Sequence, residues 1–304
     1  MADSKENIKV WWDGKIKPFN EAKVPILNHS MQYGSGIFEG IRAYETPKGP
    51  SIFRLKEHVR RFFRSAKIYD IEIKYSQEEV IDAIKEIVRE NGFRNCYIRP
   101  FIFYYDDNIQ LPTEGKKTSL YIVPFPLANY IENSSGIKCK ISSWVRIDSY
   151  VLPVQAKASG NYINSLLAIK EAKASGFDEA IMMDRDGYVA EGSAENIFIV
   201  KDGIIMTPSM DSSILEGITR DSLISISEKY GFKVKERKIH REELITADEV
   251  FICGTAAEVT PVKNIDGIKI GDGKEGKVTK ILREKYFNAV RGRDQNFEEW
   301  MEYV

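Results

Sequence analysis

Two segments in the first third of the chain carry apolar residues at the spacing of an amphipathic helix. In the first segment, the periodic residues are Leu55, Val59, Phe62, Phe63 and Ala66. The second opens with Ser76 and Glu79, which have the spacing of a capping box, and runs to Asn91-Gly92, a typical helix end. The pattern therefore predicts two consecutive helices, each with one buried face.

Other apolar runs stand beside turn residues and predict strands. The stretch KVWWDGKIKPF contains Asp13-Gly14, which supplies the positive φ of a tight turn, and is typical of a β-hairpin. Two more hairpins are expected at Asp186-Gly187 and Asp202-Gly203. The segment CYIRPFIFYY is rich in aromatic and β-branched residues and is expected to be a buried strand.

The second half of the chain is expected to contain three helices. One runs from about Asn161 to Ala174, one from Thr219 to Tyr230, and one covers VTKILREKYFNAV. Strands and helices are segregated rather than strictly alternating, which favours an α+β fold over a doubly wound sheet.

The polar piece LANYIENSSG has no clear periodicity and marks the best position for a connector between two domains. We therefore predict a small domain at residues 1–126, a connector at 127–136 and a large domain at 137–304.

Composition and charge exclude several classes of protein. The 304 residues are 43% hydrophobic and 29% charged, which is the profile of a soluble globular protein. Lys and Arg number 44 against 45 Asp and Glu, so no basic excess points to nucleic acid. The three cysteines are scattered without a CxxC pair, which argues against a disulfide framework and a zinc site. A polar N-terminus and the lack of a long apolar run predict a cytoplasmic protein that does not bind a membrane.

Lys157, in QAKASGNY, is surrounded by small or uncharged residues just before an apolar helical pattern. A catalytic amine must be unprotonated part of the time, and removal from water favours its neutral form. No adjacent carboxylate holds the charge, and small neighbours allow a bulky partner to approach. The local pattern suits a catalytic amine, but an ordinary surface lysine has the same signature.

LEGITRDS could bind an anion at the start of a helix. Gly217 gives access to the backbone, Thr219 is the expected N-cap, and the amides of Ile218 and Thr219 would point outward toward a phosphate. Simple helix capping explains the same residues. The chain lacks both GxxxxGK[ST] and GxGxxG, so a phosphate here would belong to neither nucleotide-binding class.

CGTAAEVTPV follows the apolar strand EVFI and offers small residues whose amides could meet a carboxylate or phosphate. A tight turn after a strand is an equally good interpretation of this segment.

Glu191 lies in the largely apolar, strand-like segment YVAEGSAENIF. A carboxylate in such a setting is costly unless it pairs with a cationic or protonated partner, although a solvent-facing position would remove the cost. Glu195 shares this ambiguity. The three histidines, His29, His58 and His240, form no HExxH or clustered set, so metal catalysis is disfavoured.

An amine, a phosphate-binding segment and a carboxylate together are what a pyridoxal phosphate enzyme requires. Six motifs resemble those of the branched-chain amino acid aminotransferases, which are fold-type IV pyridoxal phosphate enzymes. In chain order they are YGSGIFEGIRAY, YIRP, KASGNYINSLLA, GYVAEGSAENIF, EGITRD and GTAAEVTPV. The resemblance covers residues from about 10 to 290. It implies two domains, a small N-terminal α/β domain and a larger, β-barrel-like C-terminal α/β domain.

The resemblance also implies how pyridoxal 5'-phosphate is bound. Lys157 would form a Schiff base with the cofactor and then move the proton between the substrate Cα and the cofactor's C4′. Glu191 would hold a protonated pyridine nitrogen, and Tyr162 would contact the phenolic oxygen. Four residues would bind the phosphate: Arg61, Ile218, Thr219 and Thr255.

For the substrates, the resemblance implies reversible ping-pong amino transfer between leucine, isoleucine or valine and 2-oxoglutarate. The amides of Thr255 and Ala256, with Tyr97, would bind the α-carboxylate. Arg99 would help to accept the distal carboxylate of 2-oxoglutarate. An apolar side-chain pocket would be lined by Tyr33, Phe38, Tyr130 and Ala256.

The family further implies a homo-oligomer, a dimer at minimum and possibly a hexamer. The loop around Leu111, in YYDDNIQLPT, could enter a neighbouring subunit's pocket. The alternatives are other fold-type IV enzymes, a D-amino acid aminotransferase or an aminodeoxychorismate lyase. FEGIRAY and GTAAEVTPV favour the branched-chain enzymes. A non-catalytic binding protein on the same scaffold is a third alternative, which the presence of Lys157, Glu191 and Tyr162 argues against.

Overall fold

The computed structural model describes residues 7–127 and 136–304. The chain divides into two compact units. The first unit comprises Met1–Ala128, Ala156–Gly160 and Ala289–Val304. The second comprises Asn129–Gln155 and Asn161–Asn288. The expected connector, residues 127–136, falls almost entirely outside the described residues, and the domain boundaries stay a prediction.

The described residues form seventeen strands and seven α-helices. The strands are β1 (Lys9–Trp12), β2 (Lys15–Pro18), β3 (Ile37–Phe38), β4 (Ile41–Thr46), β5 (Gly49–Phe53), β6 (Cys96–Tyr104), β7 (Thr118–Phe125), β8 (Ile137–Ile141), β9 (Glu179–Met183), β10 (Val189–Gly192), β11 (Asn196–Lys201), β12 (Ile204–Thr207), β13 (Val234–Glu236), β14 (Glu249–Gly254), β15 (Glu258–Ile265), β16 (Ile268–Lys269) and β17 (Met301–Tyr303). The helices are α1 (His29–Tyr33), α2 (Leu55–Ile68), α3 (Gln77–Glu90), α4 (Tyr162–Ala174), α5 (Ile218–Lys229), α6 (Arg241–Thr246) and α7 (Lys277–Val290).

The first unit is built on an antiparallel sheet in the order β17-β5-β4-β6-β7-β1-β2, with the short β3 beside β6. The hairpin expected at Asp13-Gly14 is confirmed, since both residues have positive φ between β1 and β2. The expected buried strand is β6, whose ladder with β7 runs from Tyr97 opposite Phe125 to Tyr104 opposite Thr118. This long central ladder fixes the position of the Tyr97 and Arg99 side chains.

Helices α2 and α3 supply the apolar faces that complete the core of the first unit. The capping box of α3 is confirmed: the Ser76 hydroxyl accepts from the Glu79 N–H over 3.2 Å, and Glu79 accepts from the Ser76 N–H over 2.7 Å. Every periodic residue expected on α2 except the half-buried Phe63 is fully buried. The polar residues His58, Arg61 and Ser65 are buried on the same helix and form part of the candidate site.

The second unit contains a mixed sheet in the order β10-β9-β8-β15-β14-β11-β12-β13, with β16 beside β15. Its edges approach each other after β13, where the Val189 N–H donates to the Ile239 carbonyl over 2.9 Å and Tyr188 bridges His240. This arrangement agrees with the expected barrel-like form. The hairpins at Asp186-Gly187 and Asp202-Gly203 are confirmed between β9 and β10 and between β11 and β12.

The three helices expected in the second half are confirmed as α4, α5 and α7. The expected N-cap of α5 is wrong. The helix already begins at Ile218, with Gly217 as the N-cap residue, so Thr219 lies inside its first turn. The α+β prediction is confirmed by the two sheets and their flanking helices.

Candidate active site

Lys157 belongs to a short segment that pairs with residues 34–38 of the first unit. Its backbone N–H donates to the Ser65 hydroxyl and its carbonyl accepts from the Phe38 N–H, both over 3.0 Å. Further along this segment, the Gly160 N–H donates to the Gly34 carbonyl over 2.8 Å. A Cβ on Gly34 would lie only 3.0 Å from the Gly160 Cα. The small residues around Lys157 are therefore needed for close backbone pairing within the chain itself.

The Lys157 amine lies 5.1 Å from the centre of the Phe38 ring. Burial, followed by the positive charge of Arg61, lowers its pKa from 10.5 to about 8, while Glu39 opposes the shift. A substantial fraction of the amine is therefore neutral near pH 8, as a nucleophile requires.

Glu39, which the sequence analysis did not single out, lies directly after β3 with no exposed surface. Its carboxylate accepts from Arg61 Nε and Nη2 at 2.7 and 2.9 Å and from His58 Nδ1 at 2.8 Å. Burial alone would raise the pKa of Glu39, but Arg61 and His58 hold it well below its usual range. Burial lowers the pKa of His58, so its neutral ring donates Nδ1–H to an acceptor-only carboxylate.

Arg99 stacks over Phe38, with its Cζ 4.5 Å from the ring centre, and lies 5.5 Å from the Tyr97 ring. Its buried Nε has no hydrogen-bond partner among residues 7–127 and 136–304. Gly40 makes room for the neighbouring Tyr97 hydroxyl, because a Cβ there would come 1.9 Å from its oxygen. The first unit thus presents a guanidinium against an aromatic wall.

Tyr33, at the end of α1, is about half exposed, and its hydroxyl donates to the Ile109 carbonyl over 2.7 Å. In the same loop the Leu111 carbonyl accepts from His29 Nε2 over 3.1 Å, and the Leu111 side chain is exposed. Entry of this loop into a neighbouring subunit stays a prediction. Tyr130, expected in the same pocket as Tyr33, lies outside the described residues.

In the second unit, Glu191 is a buried residue of β10 at an irregularity in the pairing with β9. Its Oε1 accepts from Arg146 Nε over 2.9 Å. Its Oε2 accepts from Asn196 Nδ2 and from the Leu215 N–H, both over 3.1 Å. The expected cationic partner of the carboxylate is therefore Arg146, which lies 45 residues earlier in the sequence and was not identified from it.

The start of α5 lies next to the same cluster. Asn196 Nδ2 also donates to the Leu215 carbonyl, and a Cβ on Gly217 would come 1.9 Å from Asn196 Oδ1. No side chain of the described residues caps the helix at Gly217, and its first residues, Ile218 and Thr219, are buried. Uncapped first-turn amides and the helix dipole favour an anion such as phosphate.

Thr255 and Ala256 lie in the three-residue turn between β14 and β15, where Gly254 pairs with Glu258. The adjoining strand β11 places Asn196 opposite Cys253, so this turn belongs to the same end of the second sheet as Asn196. Tyr162 is the first residue of α4 and is half-buried. The second unit therefore brings together Glu191, the start of α5 and the turn at Thr255.

Two further features of the described residues bear on the site chemistry. Residues 7–127 and 136–304 contain no group of three His, Cys, Asp or Glu side chains arranged to hold a metal ion. All three cysteines are buried and unpaired with one another.

None of the helices in the described part of the chain is long and apolar enough to cross a membrane. The cytoplasmic location stays a prediction.

Comparison with known proteins shows which family the chain belongs to. Residues 36–265 match the family model for class IV amino-transferases. The branched-chain-amino-acid aminotransferase of Pseudomonas aeruginosa is 44% identical over 298 residues, which are 97% of this chain and 97% of that protein.

Solved structures agree with the sequence match. The branched-chain aminotransferase of Thermoproteus uzoniensis with norvaline is 43% identical, with a TM-score of 0.93 over 97% of this chain and 98% of that one. The branched-chain amino acid aminotransferase of Thermobaculum terrenum, in its PLP-form, is 35% identical, with a TM-score of 0.92 over 98% of this chain and 98% of that one.

Proposed function

This chain belongs to the branched-chain amino-acid aminotransferases of the class IV family, and we propose that it transfers amino groups from leucine, isoleucine or valine to 2-oxoglutarate. The cofactor of the proposed reaction is pyridoxal 5'-phosphate. The observation that carries the proposal is Lys157, an amine with its pKa lowered to about 8 and its backbone fixed on both sides.

The residues present fit this cofactor. Lys157 suits an aldehyde, because a partly neutral amine can attack it. The uncapped, buried start of α5 suits a phosphate, and the buried carboxylate of Glu191 suits a protonated ring nitrogen. When bound, the cofactor supplies an aldehyde for amine capture and a ring that accepts the electron pair from the substrate Cα.

Lys157 has two tasks in the proposed reaction. As a nucleophile it would hold the cofactor through its aldehyde, and as a free amine it would take the proton from the substrate Cα as a general base. Desolvation and Arg61 lower the pKa of Lys157. With a pKa of about 8, the amine is still basic enough to accept the proton, and a useful fraction of it is neutral near that pH.

Glu191 would stabilise positive charge on the ring nitrogen through its carboxylate. Arg146, Asn196 and the Leu215 N–H fix the orientation of that carboxylate by three hydrogen bonds. Because all three are donors, they favour the ionised form of Glu191, which is the form that holds a proton on a neighbouring base.

Arg99 explains how one apolar wall could serve both substrate types. The Arg99 guanidinium stacks on the Phe38 ring. The aromatic ring would contact an aliphatic side chain, and the guanidinium N–H groups would donate to a carboxylate. We therefore assign the distal carboxylate of 2-oxoglutarate to Arg99 and the branched side chains to the Phe38 wall.

The proposal is tested with a panel of amino donors and 2-oxoglutarate. L-leucine, L-isoleucine and L-valine should support turnover and convert the cofactor absorbance to that of its amino form, with ping-pong initial-rate kinetics. Lys157→Ala should abolish the imine absorbance and nearly all turnover. An unchanged spectrum with L-leucine, or greater turnover with D-amino acids, would contradict the proposal and favour another fold-type IV enzyme.

A homodimer at minimum is part of the proposal. Several large apolar side chains of the second unit are more than 40% exposed: Trp144, Val145, Tyr150, Val151, Ile163 and Leu166. They fall in two short segments, 144–151 and 163–166, and contiguous exposed apolar surface is what marks an interaction site. Light scattering of the purified chain should give at least twice the monomer mass of 34.8 kDa; a monomer would contradict this part of the proposal.

A further inference from the structure

The backbone of Lys157 is held between helix α2 and strand β3. On α2, His58, Arg61 and Ser65 follow one another at spacings of three and four residues, so their side chains share one face. Ser65 accepts the Lys157 N–H on this side. On the other side, the Phe38 N–H at the end of β3 donates to the Lys157 carbonyl. Any interaction that sets the spacing of α2 and β3 therefore sets the position of the lysine.

Glu39, directly after Phe38, makes that interaction. Its carboxylate accepts from both Nε and Nη2 of Arg61, from Nδ1 of His58, and from the Gly40 N–H at 3.1 Å. Four donors account for about all the acceptor positions of a carboxylate. The two bonds to Arg61 also fix the plane of the guanidinium, whereas a single hydrogen bond would leave the guanidinium free to rotate.

We infer that Glu39 and His58 are positioning residues, which hold the Arg61 guanidinium in one orientation and keep α2 and β3 at the spacing that Lys157 requires. The inference rests on the proposed function, in which Lys157 captures the cofactor's aldehyde and Arg61 binds its phosphate. Neither Glu39 nor His58 needs to touch substrate or cofactor in this role.

The inference predicts the direction in which the pKa of Lys157 shifts when Glu39 is replaced, and that direction can be measured. Five charged or titratable groups interact with its amine: Arg61, Glu39 and His58 from α2 and the end of β3, and Tyr97 and Arg99 from β6. Glu39 raises the pKa of Lys157, against burial and Arg61. Glu39→Gln keeps the shape and removes the charge, so the pKa should fall below about 8. A site that merely loosened and admitted water would shift it upward.

The first measurement uses the full chain freed of cofactor and two non-reactive probes, 4′-deoxypyridoxine 5'-phosphate and 4′-deoxypyridoxine. Glu39→Asp keeps the charge but is one methylene too short to hold Arg61 by two bonds. Its affinity for the phosphorylated probe should fall roughly tenfold, while binding of the unphosphorylated probe stays within about twofold of wild type. Glu302→Asp is the matched control, since Glu302 also pairs with two cations, Lys56 and Lys85, in the same unit.

The second measurement is the pH dependence of imine formation between the same protein and pyridoxal 5'-phosphate, followed by absorbance. The midpoint should lie lower in Glu39→Gln than in wild type, and Glu302→Gln should leave it unchanged. Neither measurement depends on which amino acid is the donor.

His58 supplies an independent pair of variants should those at Glu39 fail to fold. His58→Leu removes one donor to Glu39 and should weaken binding of the phosphorylated probe. His58→Asn keeps a nitrogen donor near the position of Nδ1 and should restore it.

Three results would overturn the inference: wild-type binding of both probes by Glu39→Asp, a Glu39→Gln midpoint at or above that of wild type, or equal binding by the two His58 variants. If the wild-type chain itself binds neither the phosphorylated probe nor the aldehyde, the proposed function fails instead.

Discussion

Arg146 Nε donates a 2.9 Å hydrogen bond to Glu191 Oε1, and both side chains are almost completely buried. The two residues come from separate parts of the chain, so the pair exists only in the folded second unit. Burying two charges is costly, and their attraction offsets this cost only while both are present. Replacing Arg146 therefore tests how far the site depends on a residue that does not itself react.

Arg146→Gln should lower both stability and cofactor binding. It leaves Glu191 buried without its cation, which costs about 3 kcal/mol of unfolding free energy. Denaturant unfolding and a cofactor titration measure the two effects. The control is Arg185→Gln, because Arg185 is largely exposed in its 3.3 Å pair with Asp148 and should contribute less than about 1 kcal/mol. Similar losses in the two variants would contradict the prediction.

The rate of cofactor capture should rise with pH through a midpoint near 8. Only the neutral amine of Lys157 attacks the aldehyde, and the folded protein lowers the pKa of that amine from 10.5 to about 8. Below the midpoint the rate should fall about tenfold per pH unit, since each unit reduces the neutral fraction by that factor. Stopped-flow absorbance of the cofactor-free chain measures it. A midpoint near the ordinary lysine value of 10.5 would show that the amine is not desolvated.

Gly217→Ala should destabilise the second unit. The added Cβ would come 1.9 Å from Asn196 Oδ1 and displace an amide that holds both Glu191 and the Leu215 carbonyl. Overpacking of this kind costs about 1–3 kcal/mol, measured by denaturant unfolding. Gly254→Ala is the control, because its Cβ would meet nothing closer than 3.7 Å. Equal stability of the two variants would mean that Asn196 can move without cost.

Arg99→Leu should separate the two substrates. Removing the guanidinium leaves the aromatic wall but no donor for a distal carboxylate, so KM for 2-oxoglutarate should rise by roughly 10- to 100-fold. KM for L-leucine should change far less. Arg94→Leu is the control, since Arg94 is exposed and pairs with Glu45 on the surface. A parallel rise in both KM values would contradict the division of roles.

Local sequence signals were enough for many of the elements, although the short helices α1 and α6 were not predicted. The Ser76–Glu79 capping box and the Asp-Gly turns were found because each acts over a few residues. The N-cap of α5 was placed at Thr219 because hydroxyl residues usually cap helices. Glycine takes that position here since Asn196, from a different strand, occupies the space of a side chain.

The site could be predicted only in part. Lys157 and Glu191 stand out in the sequence because each is a charged residue among uncharged or apolar neighbours. The residues that interact with the site carboxylates do not stand out: Arg146 is 45 residues from Glu191, and Arg61 is 22 residues from Glu39. Nothing in a local window links such residues. Glu39 could have been found from its position beside Phe38, as a carboxylate in the largely apolar segment GIFEGI, which is the same signal that identified Glu191.

The pairing of residues 158–160 with residues 34–37 has a consequence for when the protein becomes reactive. Ser159 and Gly34 are 125 positions apart, so their hydrogen bond closes a loop of well over a third of the chain. Until that closure, Lys157 is an ordinary hydrated amine, one of many on a nascent polypeptide. Chemical selectivity among the lysines is thus acquired only when this long-range contact forms, and incompletely folded chains gain no advantage in trapping aldehydes.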